Sequence, residues 1–354
     1  MNAIIPFRVN YVPMKKLALI SFAKNPDILY RGFELQYLDG KPYGTGWRVL
    51  AYRNDYYVDV YDDLSLNTIE NERFDVAEKG LKNYTKREFR EMVFEKTESG
   101  ILIGFSFLDI SNRNIYVNIK ENTDRVSKAM NMLAPVGAGS EKPSSLPLFF
   151  LYEFDFVRKR KTDIIIEIDG KKYKADNFPF PVTKELQWRY YTRYSMDCQI
   201  IEFAKADEGK LIPIELTEDF TYTDGQITYS FTPNNKNISL KSIVIDDKRH
   251  PVEIEFHEPI LTECNQEVAL DGRFHVTTET VMGTVKGTYQ LELANGVCKF
   301  SMSPDEGWKS VPNSFLTKMI LSSKSIFCTW PKTYWYEQVI DMNNMEARSR
   351  WIKK

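Results

Sequence analysis

Hydrophobic and polar positions alternate along this chain over short runs, and turn-forming pairs fall between the runs. Three pairs of runs can be tested by register. A two-residue hairpin fixes which residues lie opposite each other, and the apolar ones must then share a face. With Asn295-Gly296 as the turn, Leu293 falls opposite Cys298, Leu291 opposite Phe300 and Tyr289 opposite Met302, while Glu292 meets Lys299 on the other side. With Asp169-Gly170 as the turn, Ile166 meets Tyr173 and Glu167 meets Lys172. With Asp224-Gly225, Tyr222 meets Ile227 and Phe220 meets Tyr229, with Thr221 facing Thr228 on the opposite side. Each hairpin sets an apolar face against a polar one.

Other segments follow the same period. Residues 92–96 join 101–107 through Ser99-Gly100, with Ile101, Ile103, Phe105 and Phe107 on one face, and Ile115, Val117 and Ile119 alternate after Ser111-Asn112. Residues 28–37, 56–61, 239–245, 252–256 and 273–280 are further strands by pattern. Helical periods are few. One covers 123–133 through Val126, Ala129, Met130 and Leu133; a second covers 312–321, with Phe315, Leu316, Met319 and Ile320 in one stripe behind Pro312; the charged stretch 71–90 holds a third. The first two are expected to pack at the edge or mouth of a sheet. Closely spaced strands with few helices predict an all-β protein of two antiparallel β-barrel or β-sandwich lobes with a few short helices.

A chain of 354 residues suits two domains. The small, charged segment 204–209 supplies a boundary, giving an N-terminal lobe over 1–205 and a C-terminal lobe over 206–354. The irregular stretch 134–147, bracketed by apolar runs, reads as a functional loop crossing the first lobe. Charge narrows the partners: 47 basic and 49 acidic residues leave no surplus to neutralise phosphates, so no nucleic acid is expected. The compact run Arg158, Lys159, Arg160 and Lys161 reads as a solvated turn. No run reaches the roughly 18 apolar residues of a membrane span, and the N-terminus lacks the charge-then-apolar order of a signal peptide. Cys198, Cys264, Cys298 and Cys328 form no C-x-x-C pair, which fits reduced thiols in a cytoplasmic protein.

The phosphate-cradling, dinucleotide, zincin and serine-hydrolase motifs are all missing, so no cofactor is expected. Glu253, Glu255 and His257 would share one face of a strand and His275 with Glu279 another, but no fixed spacing ties them, and no metal is expected. Glu153 and Asp155, set in the apolar run LFFLYEFDFV, are the candidate catalytic acids, because a carboxyl among aromatic rings is desolvated and its pKa rises. The competing reading is a strand with one wet face. In the run WRYYTRY, Arg189, Tyr191 and Arg193 share a face, two guanidinium forks around a phenol; Trp188, Tyr191 and Arg193 are the candidate ligand-binding residues. The run WPKTYWY at 330–336, and Glu34, Tyr37, Trp47, Tyr52, Tyr56 and Tyr57, would complete an aromatic pocket if these regions meet. The competing reading has the aromatic runs closing barrel ends or joining lobes.

Two β-rich lobes of this size, with Asp169-Gly170 and Asp224-Gly225 turns and aromatic runs at Trp188 and Trp330, resemble the tandem lipocalin-like proteins, the group of carotenoid 1,2-hydratases and Diels–Alderase-type enzymes. The likeness is architectural and transfers no catalytic residue. It implies a lipophilic small molecule in a barrel mouth or between lobes. The resulting expectation is a cytoplasmic protein that binds a small lipophilic or anionic molecule in an aromatic cavity, with cofactor-free hydratase, isomerase or cyclase chemistry open to it. A non-enzymatic structural or interaction protein and a carbohydrate-binding protein are the alternatives. The residues do not choose between a binder and an enzyme.

Overall fold

In a computed structural model of the chain, the described residues are 2–68, 75–76, 79–123, 128–137, 142–179, 188–205, 208–234, 237–261, 267–323 and 326–354. The fold is all-β. Among the described residues the helices are one α-helix, Phe315–Leu321, and one 3-10 turn, Thr280–Met282.

The chain gathers into two compact units drawn from interleaved segments. The first comprises Val12–Met130 and Leu151–Gln199; the second comprises Met1–Tyr11, Asn131–Phe150 and Ile200–Lys354. The sequence boundary at 205 falls within the segment Ile200–Lys354 of the second unit, which Met1–Tyr11 and Asn131–Phe150 also join; residues 206 and 207 lie outside the described residues.

In the first unit, the strands Arg189–Ser195, Met14–Ser21, Tyr30–Gly40, Gly44–Arg53 and Val58–Asp63 form an antiparallel ladder in that order, and Lys79–Arg87 adds to its end in parallel. A second sheet runs Lys171–Tyr173, Thr162–Ile168, Asn114–Glu121, Gly100–Leu108 and Arg90–Thr97. The stripes read from the sequence face one core. Ile101, Ile103, Phe105, Phe107, Ile115, Val117 and Ile119 from the smaller sheet cluster with Ala18, Ile20, Phe33, Leu35, Val49 and Ala51 from the larger. Truncating one such ring, as in Phe105→Ala, costs about 3–5 kcal/mol.

The second unit is built on a ten-stranded sheet. Its strands from Thr221–Asp224 to Glu346–Lys353 follow one another as an antiparallel meander, and Gly209–Lys210 adds the last edge. One face is aromatic. Phe7, fully buried, lies 5.6 Å from Phe203, 6.0 Å from Phe256 and 6.2 Å from Phe300 between ring centroids, and the Tyr336 hydroxyl donates to the Pro6 carbonyl at 2.8 Å. The segment Met1–Tyr11 thus supplies part of the core that this sheet needs. Two glycines let rings lie flat on the backbone: Gly272 is paired with Tyr289 and Gly287 with Phe274. A Cβ at Gly272 would stand 2.2 Å from the Tyr289 hydroxyl oxygen, and one at Gly287 would stand 2.5 Å from the Phe274 ring.

Two hairpins have the expected registers, at Asn295-Gly296 and Asp169-Gly170. In the third, Asp224 pairs with Ile227 and Tyr222 with Tyr229, so the turn is Gly225-Gln226, one residue further on. Gly225 takes the positive φ of 62° there, and because each residue meets a partner two positions along, the faces are unchanged. Of the expected helices, the one at 312–321 forms. Residues 130–133 are instead part of the strand Met130–Ala134, and 79–87 are a strand in which Leu81 and Tyr84 pack on Leu50, Val58 and Val60. Gly80, Asn83 and Thr85 are poor helix formers, so little opposed that packing. Residues 71–74, 77–78 and 124–127 of the expected helices lie outside the described residues, as do 138–141 of the 134–147 loop. That loop belongs to the second unit, where the Gly137 carbonyl accepts from the Tyr334 hydroxyl at 3.0 Å and from Lys353 Nζ at 2.9 Å.

Candidate functional site

The candidate residues Glu153, Asp155, Trp188, Tyr191 and Arg193 all lie in the first unit, but they do not converge, and the aromatic run 330–336 belongs to the second unit. Glu153 has a φ of 54°, which breaks strand alternation and turns its side chain out to an ion pair with Lys96. Asp155 is buried and meets Arg189 Nη1 at 3.1 Å. In the ladder Asp155 lies opposite Tyr194, whereas Arg193 lies opposite Phe156, so Asp155 and Arg193 belong to alternate faces. Trp188 is exposed. Tyr191 and Arg193 do come together, with the guanidinium 4.4 Å above the ring centroid.

That guanidinium opens onto a second set of residues, on the face of the large sheet away from the core between the sheets. One rung of the ladder reads Phe156, Arg193, Leu19, Glu34, Leu50, Val60, Tyr84. Directly paired residues point the same way, so Arg193 and Glu34 share a face two strands apart, about 10 Å at normal strand spacing. Leu19 lies between them, half-buried. Glu34 is buried and accepts from the Tyr52 hydroxyl and from Gln36 Nε2, the latter at 2.7 Å. Burial pushes its carboxyl above the ordinary range; the Tyr52 and Gln36 hydrogen bonds and the more distant charges of Arg193 and Lys79 oppose that rise without cancelling it. Burial, and then the neighbouring Glu34 charge, also raise the Tyr52 phenol well above its usual value. Lys79 Nζ stands 5.5 Å from the Tyr52 ring centroid. Neither Arg193 nor Lys79 makes an ion pair among the described residues. The next rung supplies contrast: Arg48 meets Asp62 through two hydrogen bonds of 2.6 and 2.9 Å, with the Tyr84 hydroxyl donating to the same carboxylate at 2.8 Å.

The sequence had brought Glu34 and Tyr52 forward as part of an aromatic stretch. What it lacked was the pairing of Arg193 with Leu19, which brings residues more than 150 positions apart onto one rung. The chemistry available here is proton transfer beside an anion-binding group. A carboxyl that keeps its proton to higher pH can donate it and later recover it, and a guanidinium stacked on a phenol is a planar grip for a carboxylate or phosphate.

The histidines form smaller groups. His250 Nδ1 lies 2.7 Å from Glu279, and His257 Nε2 lies 3.2 Å from His275 Nδ1. Among the described residues no group of three or more His, Cys, Asp or Glu side chains is placed to hold a metal. No helix among them is long and apolar enough to cross a membrane.

Compared with protein-family models, with curated proteins and with solved structures, the chain matches none. Function therefore has to be argued from this geometry.

Proposed function

We propose that the first unit binds a small molecule bearing an anionic group on an apolar body, and that Glu34 transfers a proton to or from it without a cofactor. The observation that carries this reading is Arg193: a half-buried guanidinium with no carboxylate partner among the described residues, on the same face as a buried acid that makes no ion pair among them. In the proposed complex Arg193 takes the anion, Tyr191 holds the guanidinium flat, and Leu19, Leu50 and Val60 bed the apolar body. Glu34 then faces a carbon or oxygen of the ligand about 10 Å from the anion, at the two-strand spacing. Tyr52 and Gln36 steady the carboxylate after the proton leaves. Isomerisation or hydration of a lipophilic acid fits this arrangement. It also fits the architectural resemblance to tandem lipocalin-like proteins. A reducing, cytoplasmic setting belongs to the same proposal, on the four cysteines that form no C-x-x-C pair; Cys264 lies outside the described residues.

Native mass spectrometry of the purified protein, followed by thermal-shift screening with aromatic and terpenoid carboxylates, tests the reading. The wild type should hold such a ligand, and Arg193→Ala should weaken it by about 1.5–3 kcal/mol, tenfold or more. Glu34→Gln should keep the ligand and lose turnover. A wild type that binds none of these, or an Arg193→Ala variant that binds equally well, would sink the proposal.

A further inference from the structure

The helix Phe315–Leu321 faces its apolar stripe outward. Phe315, Leu316 and Met319 are 84, 60 and 57% exposed, while Thr317 and Leu321 are buried. Val311 and Ile326, at 49 and 44% exposure, extend the stripe on either side. Single exposed apolar residues are ordinary on protein surfaces; a run of them within one short segment is not. The segment is anchored. Ser314 Oγ caps the helix by accepting from the Thr317 amide at 3.1 Å, and Thr317 Oγ1 donates to Asn313 at 2.9 Å. Beyond the helix, Phe327 is buried with its ring centroid 6.1 Å from that of Trp308, whose Nε1 donates to the Met282 carbonyl at 2.9 Å. The stripe is thus held on the surface by the polar cap and the buried residues on either side.

Charge points to what covers it. Between Glu306 and Glu337 the sequence carries Lys309, Lys318, Lys324 and Lys332 and no acidic residue, in a chain that otherwise has about one acid in seven. Aromatic, leucine and methionine tips on a segment whose only charged side chains are lysines complement the boundary of a bilayer with anionic headgroups, where the tips enter the acyl region and the lysines meet phosphate. We infer that the helix Phe315–Leu321, with Val311 and Ile326 beside it, docks this protein reversibly on an anionic lipid surface. A second copy of the chain would cover the stripe equally well, but it would bring the same lysines against each other. This inference does not depend on the proton-transfer reading, which concerns the other unit.

Co-sedimentation of the full chain with vesicles tests it, using phosphatidylcholine alone and phosphatidylcholine with about one third phosphatidylserine. The expected result is binding to the anionic vesicles that is roughly tenfold tighter than to the neutral ones and falls as salt is raised. Phe315→Asp and Met319→Asp, both at exposed positions, should each reduce that binding about tenfold with an unchanged circular dichroism spectrum. Ile28→Asp, at an 82% exposed residue of the first unit, should leave it unchanged. Equal binding of wild type and Phe315→Asp, or no binding of wild type to either vesicle, would overturn the inference. So would a wild type that self-associates through this stripe and ignores lipid.

Discussion

Two buried acids of the first unit, Asp27 and Glu34, are seven residues apart in sequence and opposite in chemistry. Asp27 is surrounded by donors. Arg113 Nη1 reaches it at 2.9 Å, the Tyr173 hydroxyl at 2.8 Å and the Leu29 amide at 3.0 Å. Burial pushes the Asp27 carboxyl up, but these bonds outweigh it and hold the group below the ordinary range. Arg113 also grips Asp109 at 2.8 Å, and close by Asp59 accepts from Arg53 and the Tyr30 hydroxyl, each at 3.0 Å. Burial, aided by Asp27, pushes the Tyr173 phenol up to about 12. Among the described residues Glu34 accepts hydrogen bonds from neutral donors only, and its carboxyl moves the other way. A carboxylate paired with guanidinium groups has its charge fixed and serves the fold. An acid with neutral donors keeps a proton it can exchange. Asp27 lies in the connection between the strands Met14–Ser21 and Tyr30–Gly40 and Glu34 within the second of them, and the difference lies in which side chains the fold brings alongside each.

Breaking the paired cluster should have the largest effect. Arg113→Ala leaves Asp27 and Asp109 buried without their cation and should cost about 3–5 kcal/mol in urea unfolding; a loss below about 1 kcal/mol would mean that the cluster is not a structural clamp. Tyr173→Phe removes one hydrogen bond to a charged group and should cost about 1.5 kcal/mol.

The acid dependence of stability sharpens the contrast. Asp27 has a depressed folded pKa, so its contribution is present above the unfolded carboxyl value and is lost as pH falls through the folded one. Glu34 has a raised folded pKa, so it penalises folding above that value, and the penalty lifts as pH falls through it. Glu34→Gln should therefore stabilise the protein at neutral pH, with the gain vanishing below about pH 4, where the unfolded side chain is itself protonated. A gain that persists into acid would point to packing instead of charge. The smallest effect should come from Arg193→Ala, within about 0.5 kcal/mol in thermal or urea unfolding, because the guanidinium has no ion-pair partner among the described residues to strand.

Much of the fold was legible because strand pairing across a tight turn is local. The faces of 289–302 and 166–173 follow from a few residues either side of Asn295-Gly296 and Asp169-Gly170, and the structure keeps those registers. The site was legible only in part. Arg193 and Tyr191 carry their signal in one short run, and Glu34 stands out as an acid inside the apolar strand Tyr30–Gly40. Their meeting depends on strand order, which nothing local encodes. Glu153 misled for a backbone reason: its positive φ removes it from the alternation that would have set it beside Asp155. The stripe of Phe315, Leu316 and Met319 predicted a helix correctly but could not say which side of it faces solvent, since periodicity is the same for a buried face and a docking face.

The protonation of Glu34 is the point on which the contrast turns. Carboxyl-selective infrared titration of the wild type against Glu34→Gln isolates it. The expected difference is one carboxyl that titrates above the ordinary glutamate value of about 4.3 and is absent from the variant. A Glu34 that titrates at or below that value would contradict the assignment of a proton-exchanging acid to this face of the sheet.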